Sequence, residues 1–242
     1  NQIFCVEIVY SVTINDTPLQ DNGRIMSIDL GLDNLATIVT NTGLNPIIVN
    51  GKGLKSHNQY YNKKNAHYQR IAKQMNNKNY TNRLHRLTRK RNFKIEDALH
   101  KISRFIVDTA ISNEITMIVI GNNYGWKQSI SLGRKTNQSF VTIPHQKLIE
   151  KICYKAKSHG IRVIITEESY TSGTSFLDGE SPTKDMYDKK RRIYRGLFRS
   201  GKGVLINADV NAGYQIMKKV FPNEFSDGIE GAAFHPVRVN IV

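Results

Sequence analysis

Cysteine, tryptophan and acidic side chains are all scarce in this sequence. Its two cysteines, Cys5 and Cys153, lie far apart, and neither belongs to a CxxC pair. That usage excludes a disulfide framework and predicts two buried, reduced thiols. No apolar run reaches 18 residues, so no membrane-spanning helix is predicted. The amino terminus has neither the basic segment nor the cleavage site of a secretory signal, and a cytoplasmic protein is expected.

The shortage of acids leaves a large positive charge. Lysine and arginine number 35 against 20 aspartates and glutamates, which gives a formal net charge of +15 and an isoelectric point near 9.8. An excess of that size indicates a polyanionic partner, most often nucleic acid and sometimes an anionic membrane surface. The length of 242 residues and the hydrophobic share of 39% suit one sizeable core with room for an insertion.

Changes in composition along the chain suggest two boundaries. Residues 3–14 alternate like a strand and residues 15–23 are polar, so residues 1–22 are predicted to end a truncated amino-terminal domain and its linker. Residues 23–242 are then predicted to form a second domain. Within it, residues 173–202 are rich in glycine, aspartate and arginine and are predicted to be an insertion between regular elements.

The order of elements predicts an α/β protein of the α+β, mixed-sheet type. Three strands joined by short connections follow one another between Ile25 and Val49, as in an antiparallel meander. A long helix from Arg83, a strand ending at Ile120, a helix, a strand and a final helix come after them.

Two acids occupy unusual places in this pattern. Asp29 interrupts the first apolar strand, and Asp209 lies at the start of the last helix. A carboxylate within a core strand is costly unless it is paired or binds a metal. For a lone aspartate, pairing with a lysine or arginine is the simpler explanation. Two acids that the fold brings together would instead suit phosphoryl transfer by a pair of Mg²⁺ ions.

Basic residues form three candidate nucleic-acid-binding regions. The early turns of the long helix carry six cations and no acid: Arg83, Arg86, Arg89, Lys90, Arg91 and Lys94. The loop after the strand ending at Ile120 combines Trp126 with Lys127, and the insertion carries Arg191 and Arg192. The one-sided charge favours contacts with phosphates over a merely solvated face, and interleaved aromatics suit a single strand. A surface loop with its tryptophan turned inward is the alternative for Trp126.

Several segments resemble one known family. SIDLGLDNLAT and NADVNAGYQI resemble the first and third motifs of the RuvC-type, RNase H-like nuclease domain of TnpB proteins, which bacterial insertion sequences encode. ALHKISRFIV and KLIEKICYKAKSHGIRVIITEESYTS are also similar, so the resemblance extends from about Gly23 to Val220.

The resemblance implies a compact RNA-guided DNA endonuclease, related to the type V CRISPR effectors and often described as a transposase. It implies Mg²⁺ or Mn²⁺ as cofactor, and a guide RNA from the transposon end and target DNA as partners. The expected location is the bacterial cytoplasm, at the nucleoid when DNA is bound. Residues 23–242 would be the RuvC-like nuclease domain, with Asp29 and Asp209 as catalytic metal ligands.

The second motif departs from the family. TnpB proteins usually place a catalytic glutamate directly after the strand that corresponds to TMIVI, where this chain has Gly121. Either the nuclease is dead, leaving an RNA-guided DNA-binding regulator or a degraded transposase remnant, or another acid replaces the missing one. Glu167 and Glu168 are candidates, because their strand should neighbour the one ending at Ile120 and adjacent strands lie about 4.8 Å apart. Successive strand residues face opposite sides, so Glu168 is preferred as catalytic metal ligand, with Glu167 in reserve.

Two further departures affect the insertion and the last helix. Ser175 and Asp178 stand where the family commonly has the first CxxC pair of a zinc ribbon, and no cysteine follows Cys153. No structural zinc is therefore expected, and the insertion is expected to contact RNA or DNA and to order on binding. Asn207 replaces a frequent aspartate and is predicted to cap the last helix.

Overall fold

A mixed sheet with helices on both faces forms the centre of the protein. The structure is a computed structural model that describes residues 6–9, 11, 17–122, 143–223 and 235–241. The strands of the main sheet are β1 (Ile25–Leu30), β2 (Asn34–Thr40), β3 (Ile47–Asn50), β4 (Met117–Gly121), β5 (Arg162–Thr166) and β9 (Val237–Val239). Their spatial order is β5-β4-β1-β2-β3-β9. The predicted meander is confirmed, because β1, β2 and β3 pair antiparallel, whereas β4, β5 and β9 join in parallel.

Four helices and a small second sheet complete the described fold. The helices are α1 (Lys52–Asn76), α2 (Asn82–Ser112), α3 (His145–Lys157) and α4 (Ala208–Val220). The second sheet consists of β6 (Arg192–Tyr194), β7 (Leu197–Arg199) and β8 (Leu205–Asn207). The predicted long helix is confirmed as α2. None of the helices described is both long and apolar enough to cross a membrane.

The alternation of side chains along β1 separates two cores. Met26 and Ile28 belong to the larger core, which α2 and α3 cover, while Ile25 belongs to the core beneath α4. Ser27 is buried on the same side as Ile25, and its hydroxyl donates a 2.9 Å hydrogen bond to the carbonyl oxygen of Gly213 in α4. This contact holds α4 close against the sheet and so fixes where the start of α4 lies.

The insertion packs against α4. Phe198 of β7 is fully buried, and Phe176 stacks on Tyr214 of α4 with ring centroids 4.8 Å apart. Arg191 pairs with Glu180 at 2.6 Å and links the two halves of the insertion. Scattered aromatic residues thus give the insertion a core against α4, and its ordering on binding stays a prediction.

Two other segments differ from their patterns. Residues 52–76, whose helical periodicity is weak, form the whole of α1, which contacts α2 through a hydrogen bond between the Tyr61 and Thr88 hydroxyls. The strand predicted over residues 3–14 is described only at residues 6–9 and 11, which are not in a strand, and its other residues lie outside the described part.

The packing of α2 gives a first prediction. Ile102 is fully buried beneath the sheet, whereas Ile111 of the same helix is 40% exposed. Ile102→Ala should lower the free energy of unfolding by about 2–5 kcal/mol through the lost contacts and the cavity. Ile111→Ala, the matched control, should lower it by less than about 1 kcal/mol. Urea unfolding followed by circular dichroism measures both, and equal losses would contradict the assignment of the core.

Candidate acidic active site

Three acids line one pocket where parallel strands β1, β4 and β5 end. Ile28 lies opposite Ile120 in the β1–β4 pair, so that Asp29 follows beside Gly121. Gly121 in turn lies opposite Thr166 of β5, and Glu168 comes two residues later. The predicted proximity of the strands ending at Ile120 and Thr166 is confirmed. Asp29, Glu168 and Asp209 all line one open pocket.

Gly121 makes room for the carboxylate of Glu168. A Cβ atom added at Gly121 would lie 3.0 Å from Oε2 of Glu168 and 2.6 Å from Cδ1 of Ile216. The Glu168 carboxylate therefore reaches the space into which a side chain at position 121 would project. A side chain at position 121 would thus compete with the Glu168 carboxylate for this space.

Glu167 points elsewhere. Its side chain is 66% exposed and lies 3.9 Å from the Lys219 ammonium group, and it does not line the pocket. The same lysine donates to the main-chain carbonyl oxygens of Glu167 and Ser169. Lys219 therefore holds the segment that carries Glu168 from behind, while Glu168 itself faces the pocket.

Burial disfavours the charged forms of the two neighbouring acids Asp29 and Glu168. Burial raises the pKa of Asp29 well above its usual value, and the charges of Glu168 and Asp209 raise it further, against a smaller opposing effect of Arg192. Burial also raises the pKa of Glu168 to about 7, although the ammonium group of Lys219 acts in the other direction. Carboxylates in this condition are stabilised by an added cation.

Asp209 is held differently from the other two acids. It lies in the first turn of α4, which Asn207 caps by accepting hydrogen bonds from the main-chain N–H groups of Asp209 and Val210, as predicted. Its carboxylate accepts hydrogen bonds from the Asn34 amide at 2.6 Å and from the Arg192 guanidinium at 3.2 Å. Arg192, predicted to contact nucleic acid, thus pairs with a predicted metal ligand.

The donor set suits Mg²⁺ or Mn²⁺ in chemistry but is not gathered into a compact site. Carboxylate oxygens are the ligands that these hard cations prefer, and the raised pKa values of Asp29 and Glu168 show that burial disfavours their charged forms. Among the described residues, however, no three His, Cys, Asp or Glu side chains form a group that could hold a metal ion. The Asp209 carboxylate is instead held by its hydrogen bonds from Asn34 and Arg192.

Basic side chains surround the acids at the mouth of the pocket. They are Lys52, Lys55, Arg192, Arg195 and Arg238. Arg195 pairs with Asp33 at 2.9 Å while its side chain stays 70% exposed, and Lys55 donates to the same carboxylate at 2.6 Å. Neither this rim nor the role of Asn34 could be predicted, because no local sequence pattern links residues that only the fold brings together.

The predicted basic face of α2 divides into two groups. Arg83 stacks over the Tyr68 ring at 4.1 Å and donates to its hydroxyl, and Arg91 donates to Asn58, so both guanidinium groups contact α1. Of the remaining members, Arg86, Lys90 and Lys94 are exposed and Arg89 is half-buried. Trp126 and Lys127 lie outside the described residues.

Comparison with protein-family models gives two adjacent matches. Residues 4–127 match the model of the probable transposase OrfB of IS605, and residues 145–216 match the TNB domain of Cas12f1-like proteins. The first match contains Asp29, and the second contains Glu168 and Asp209. A comparison with curated proteins found no match.

Two solved structures have a similar fold. A complex of Cas12f1 with sgRNA and target DNA, determined by cryo-electron microscopy, gives a TM-score of 0.60 at 20% identity, over 82% of this chain and 50% of that chain. A CRISPR-Cas12f ternary complex gives a TM-score of 0.61 at 21% identity, over 85% of this chain and 40% of that chain. The chain thus spans half or less of the length of these proteins, and the likeness concerns the fold.

The pKa of Glu168 gives a second prediction. The folded protein keeps this carboxyl protonated up to about pH 7, whereas an ordinary glutamate titrates near 4.5. Between these values the folded state holds a proton that the unfolded state has released, so the free energy of unfolding should fall as the pH rises from 5 to 8. Glu168→Gln should reduce that fall by on the order of 2–3 kcal/mol.

Urea unfolding in EDTA at four pH values between 5 and 8 measures this effect. Glu167→Gln is the matched control and should keep the slope of the parent protein, because the Glu167 side chain is 66% exposed. Burial shifts the pKa of Asp29 in the same direction, so a residual slope should remain in Glu168→Gln. A slope equal in all three proteins would contradict the placement of Glu168.

Proposed function

Because the chain belongs to the IS605 OrfB family of probable transposases, of TnpB-like type, we propose that it acts in an RNA-guided DNA endonuclease. The reaction is metal-dependent hydrolysis of phosphodiester bonds. The single observation that carries the proposal is the position of Glu168, whose carboxylate reaches the space beside Gly121 and lines the same pocket as Asp29 and Asp209. An acid is thus supplied where the chain has lost its usual one.

In this proposal Asp29, Glu168 and Asp209 hold Mg²⁺ or Mn²⁺. Such ions, when bound, activate the attacking water and stabilise the leaving oxygen. Asn34 orients the Asp209 carboxylate through its 2.6 Å hydrogen bond. Lys219 fixes the segment of Glu168 through the carbonyl oxygens of Glu167 and Ser169. Glu167 stays outside the reaction, since it does not line the pocket.

The proposed partners are a guide RNA from the transposon end and the target DNA. Support comes from the net charge of +15 and from the exposed cations Arg86, Lys90 and Lys94 of α2. The two similar structures are a complex with sgRNA and target DNA and a ternary complex. In this scheme residues 23–242 form the nuclease domain, and residues 1–22 end the domain that precedes it.

A second candidate is a nuclease-dead, RNA-guided DNA-binding protein that acts as a regulator. It is favoured by one observation: among the described residues, no compact group of three potential metal ligands exists. Asp29 speaks against it, because a half-buried acid with a strongly raised pKa is costly to keep without a cation. One cleavage experiment separates the two.

Cleavage gives the third prediction. The full-length protein with its transposon-end RNA should cut a matching DNA target in Mg²⁺ and not in EDTA. Asp29→Ala and Glu168→Ala should each lower the rate on the order of 100-fold or more, because each removes a metal ligand. Glu167→Ala, the matched control one position away, should cut like the parent protein.

The same assay distinguishes the alternatives. Guide-dependent binding without cutting would establish the regulator. Cutting that Glu168→Ala leaves intact would remove the relocated acid from the mechanism. Cutting lost in Glu167→Ala as well as in Glu168→Ala would show that the segment between β5 and Thr171 acts as a structural unit, and the assignment of Glu168 would then fail.

The pair of Arg192 and Asp209 gives the fourth prediction. The guanidinium occupies a carboxylate oxygen that the proposal assigns to a metal, at 3.2 Å. Arg192→Gln removes this competing cation and should raise the affinity for Mn²⁺ about three- to tenfold. Titration followed by electron paramagnetic resonance measures free Mn²⁺ directly and needs no catalysis.

Arg195→Gln is the control for charge alone. It removes one positive charge from the β6–β7 hairpin, as Arg192→Gln does, but Arg195 pairs with Asp33 and not with Asp209. An equal gain in both variants would show that only the general field matters, and an unchanged affinity in Arg192→Gln would contradict the competition.

A further inference from the structure

Two tyrosines line the acidic pocket and take no part in the chemistry proposed above. We propose that Tyr170 and Tyr187 form a stacking subsite for an unpaired nucleobase of the DNA strand that reaches the acids. The inference rests on the proposed function. It specifies that the DNA strand at the acids is unpaired, so that the faces of its bases are exposed. Both residues line the pocket together with Asp29, Glu168 and Asp209.

The two rings contact each other and both remain partly exposed. Their centroids are 5.8 Å apart and their planes meet at 73°, so the rings are arranged edge to face. Tyr170 is 39% exposed and Tyr187 is 38% exposed. Each ring thus keeps open surface beside the acids, although buried tyrosine rings are worth more to stability than exposed ones. An aromatic surface kept open at a charged pocket suits a flat apolar ligand.

The backbone around Tyr170 is held in an unusual conformation. Tyr170 has a φ of +67°, in the left-handed region that side chains other than glycine rarely adopt. Thr171 donates through its hydroxyl to the carbonyl oxygen of Glu168 at 2.8 Å, and Thr174 donates to that of Tyr170 at 2.9 Å. Strain of this kind persists where surrounding contacts impose it, often at binding sites. The effect is to fix the Tyr170 ring relative to Glu168.

Tyr187 is placed by a glycine. A Cβ atom at Gly173 would overlap the Tyr187 ring, so the ring lies directly against the main chain of that residue. The main-chain N–H of Asp188 donates to the Gly173 carbonyl oxygen at 3.0 Å, which holds the two segments together. The ring of Tyr187, from the insertion, is therefore fixed beside the segment that follows β5.

The charges around the pocket indicate what kind of ligand carries the base. Four cations in addition to Arg192 line the pocket: Lys52, Lys55, Arg195 and Arg238. Phosphates bound by such a rim would place bases toward the pocket walls, and aromatic rings beside a cationic groove are the usual means of holding a single strand. A base within a duplex has both faces covered by its neighbours, so it could not stack here.

The experiment compares oligonucleotides with and without bases. Full-length protein with its guide RNA is mixed in EDTA, which prevents cutting, with a fluorescent single-stranded DNA that does not pair with the guide. A second oligonucleotide carries abasic sites throughout the same length. Anisotropy should show that the parent protein binds the strand with bases roughly tenfold or more tightly than the abasic strand.

Four variants test whether the preference for bases depends on the two tyrosine rings. Tyr170→Ala with Tyr187→Ala should remove most of the preference for bases, whereas Tyr170→Phe with Tyr187→Phe should keep it, because the rings remain. Tyr154→Ala is the matched control, since Tyr154 is 51% exposed on α3 and does not line the pocket. Ile165→Ala, beside the same segment but not in the pocket, controls for local disturbance, and melting temperatures check that each variant folds.

The outcomes separate this inference from the proposed function. A preference for bases that survives in the double alanine variant would overturn the subsite, as would its loss in the phenylalanine variant. The inference would also be overturned if binding of a duplex of the same length depended on the two tyrosines to the same extent. Failure of Asp29→Ala to affect cleavage would defeat the proposed chemistry while leaving the binding result unaffected.

Discussion

The acidic pocket depends on the close approach of the Glu168 carboxylate to Gly121, which has no side chain to exclude it. The loss of a side chain on β4 allows an acid from the end of β5 to approach Asp29, with Oε2 3.0 Å from where a Cβ at position 121 would be. Two carboxylates are thereby brought together at the cost of a raised pKa for each. A proton on either carboxyl lowers the repulsion between them, so the stability of this site depends on pH.

The parallel order of the strands explains why an acid after β5 can approach Asp29 without a change in the backbone. Strands β1, β4 and β5 run parallel, so their carboxyl ends meet at one edge. An acid just beyond that edge can reach the same point if its side chain faces the pocket, as Glu168 does and Glu167 does not. Helix α4 brings Asp209 to this edge because Ser27 bonds to Gly213 and holds the helix on the sheet. The position of the acids is therefore a property of the topology more than of one motif.

Part of this could be predicted from the sequence. The order of β1 to β5, the neighbouring ends of β4 and β5 and the cap at Asn207 follow from local patterns and from general rules of sheet topology. Helix α1 was harder, because a polar helix that packs mainly against α2 along one side has a weak apolar stripe. The core of the insertion left no periodic signal at all, since Phe176 and Phe198 meet α4 only through the fold.

The arginines of the insertion show why a charge run is a poor guide to a partner. Arg191 and Arg192 are adjacent in sequence, yet one pairs with Glu180 inside the insertion and the other with Asp209 in the pocket. Arg192 lies on β6, so its ion pair with Asp209 joins the β6–β7 hairpin to the acids. A cation that displaced Arg192 from Asp209 would remove one of the contacts that hold this hairpin. Arg195 retains a second contact through Asp33. The acids and the insertion are thus joined by ion pairs.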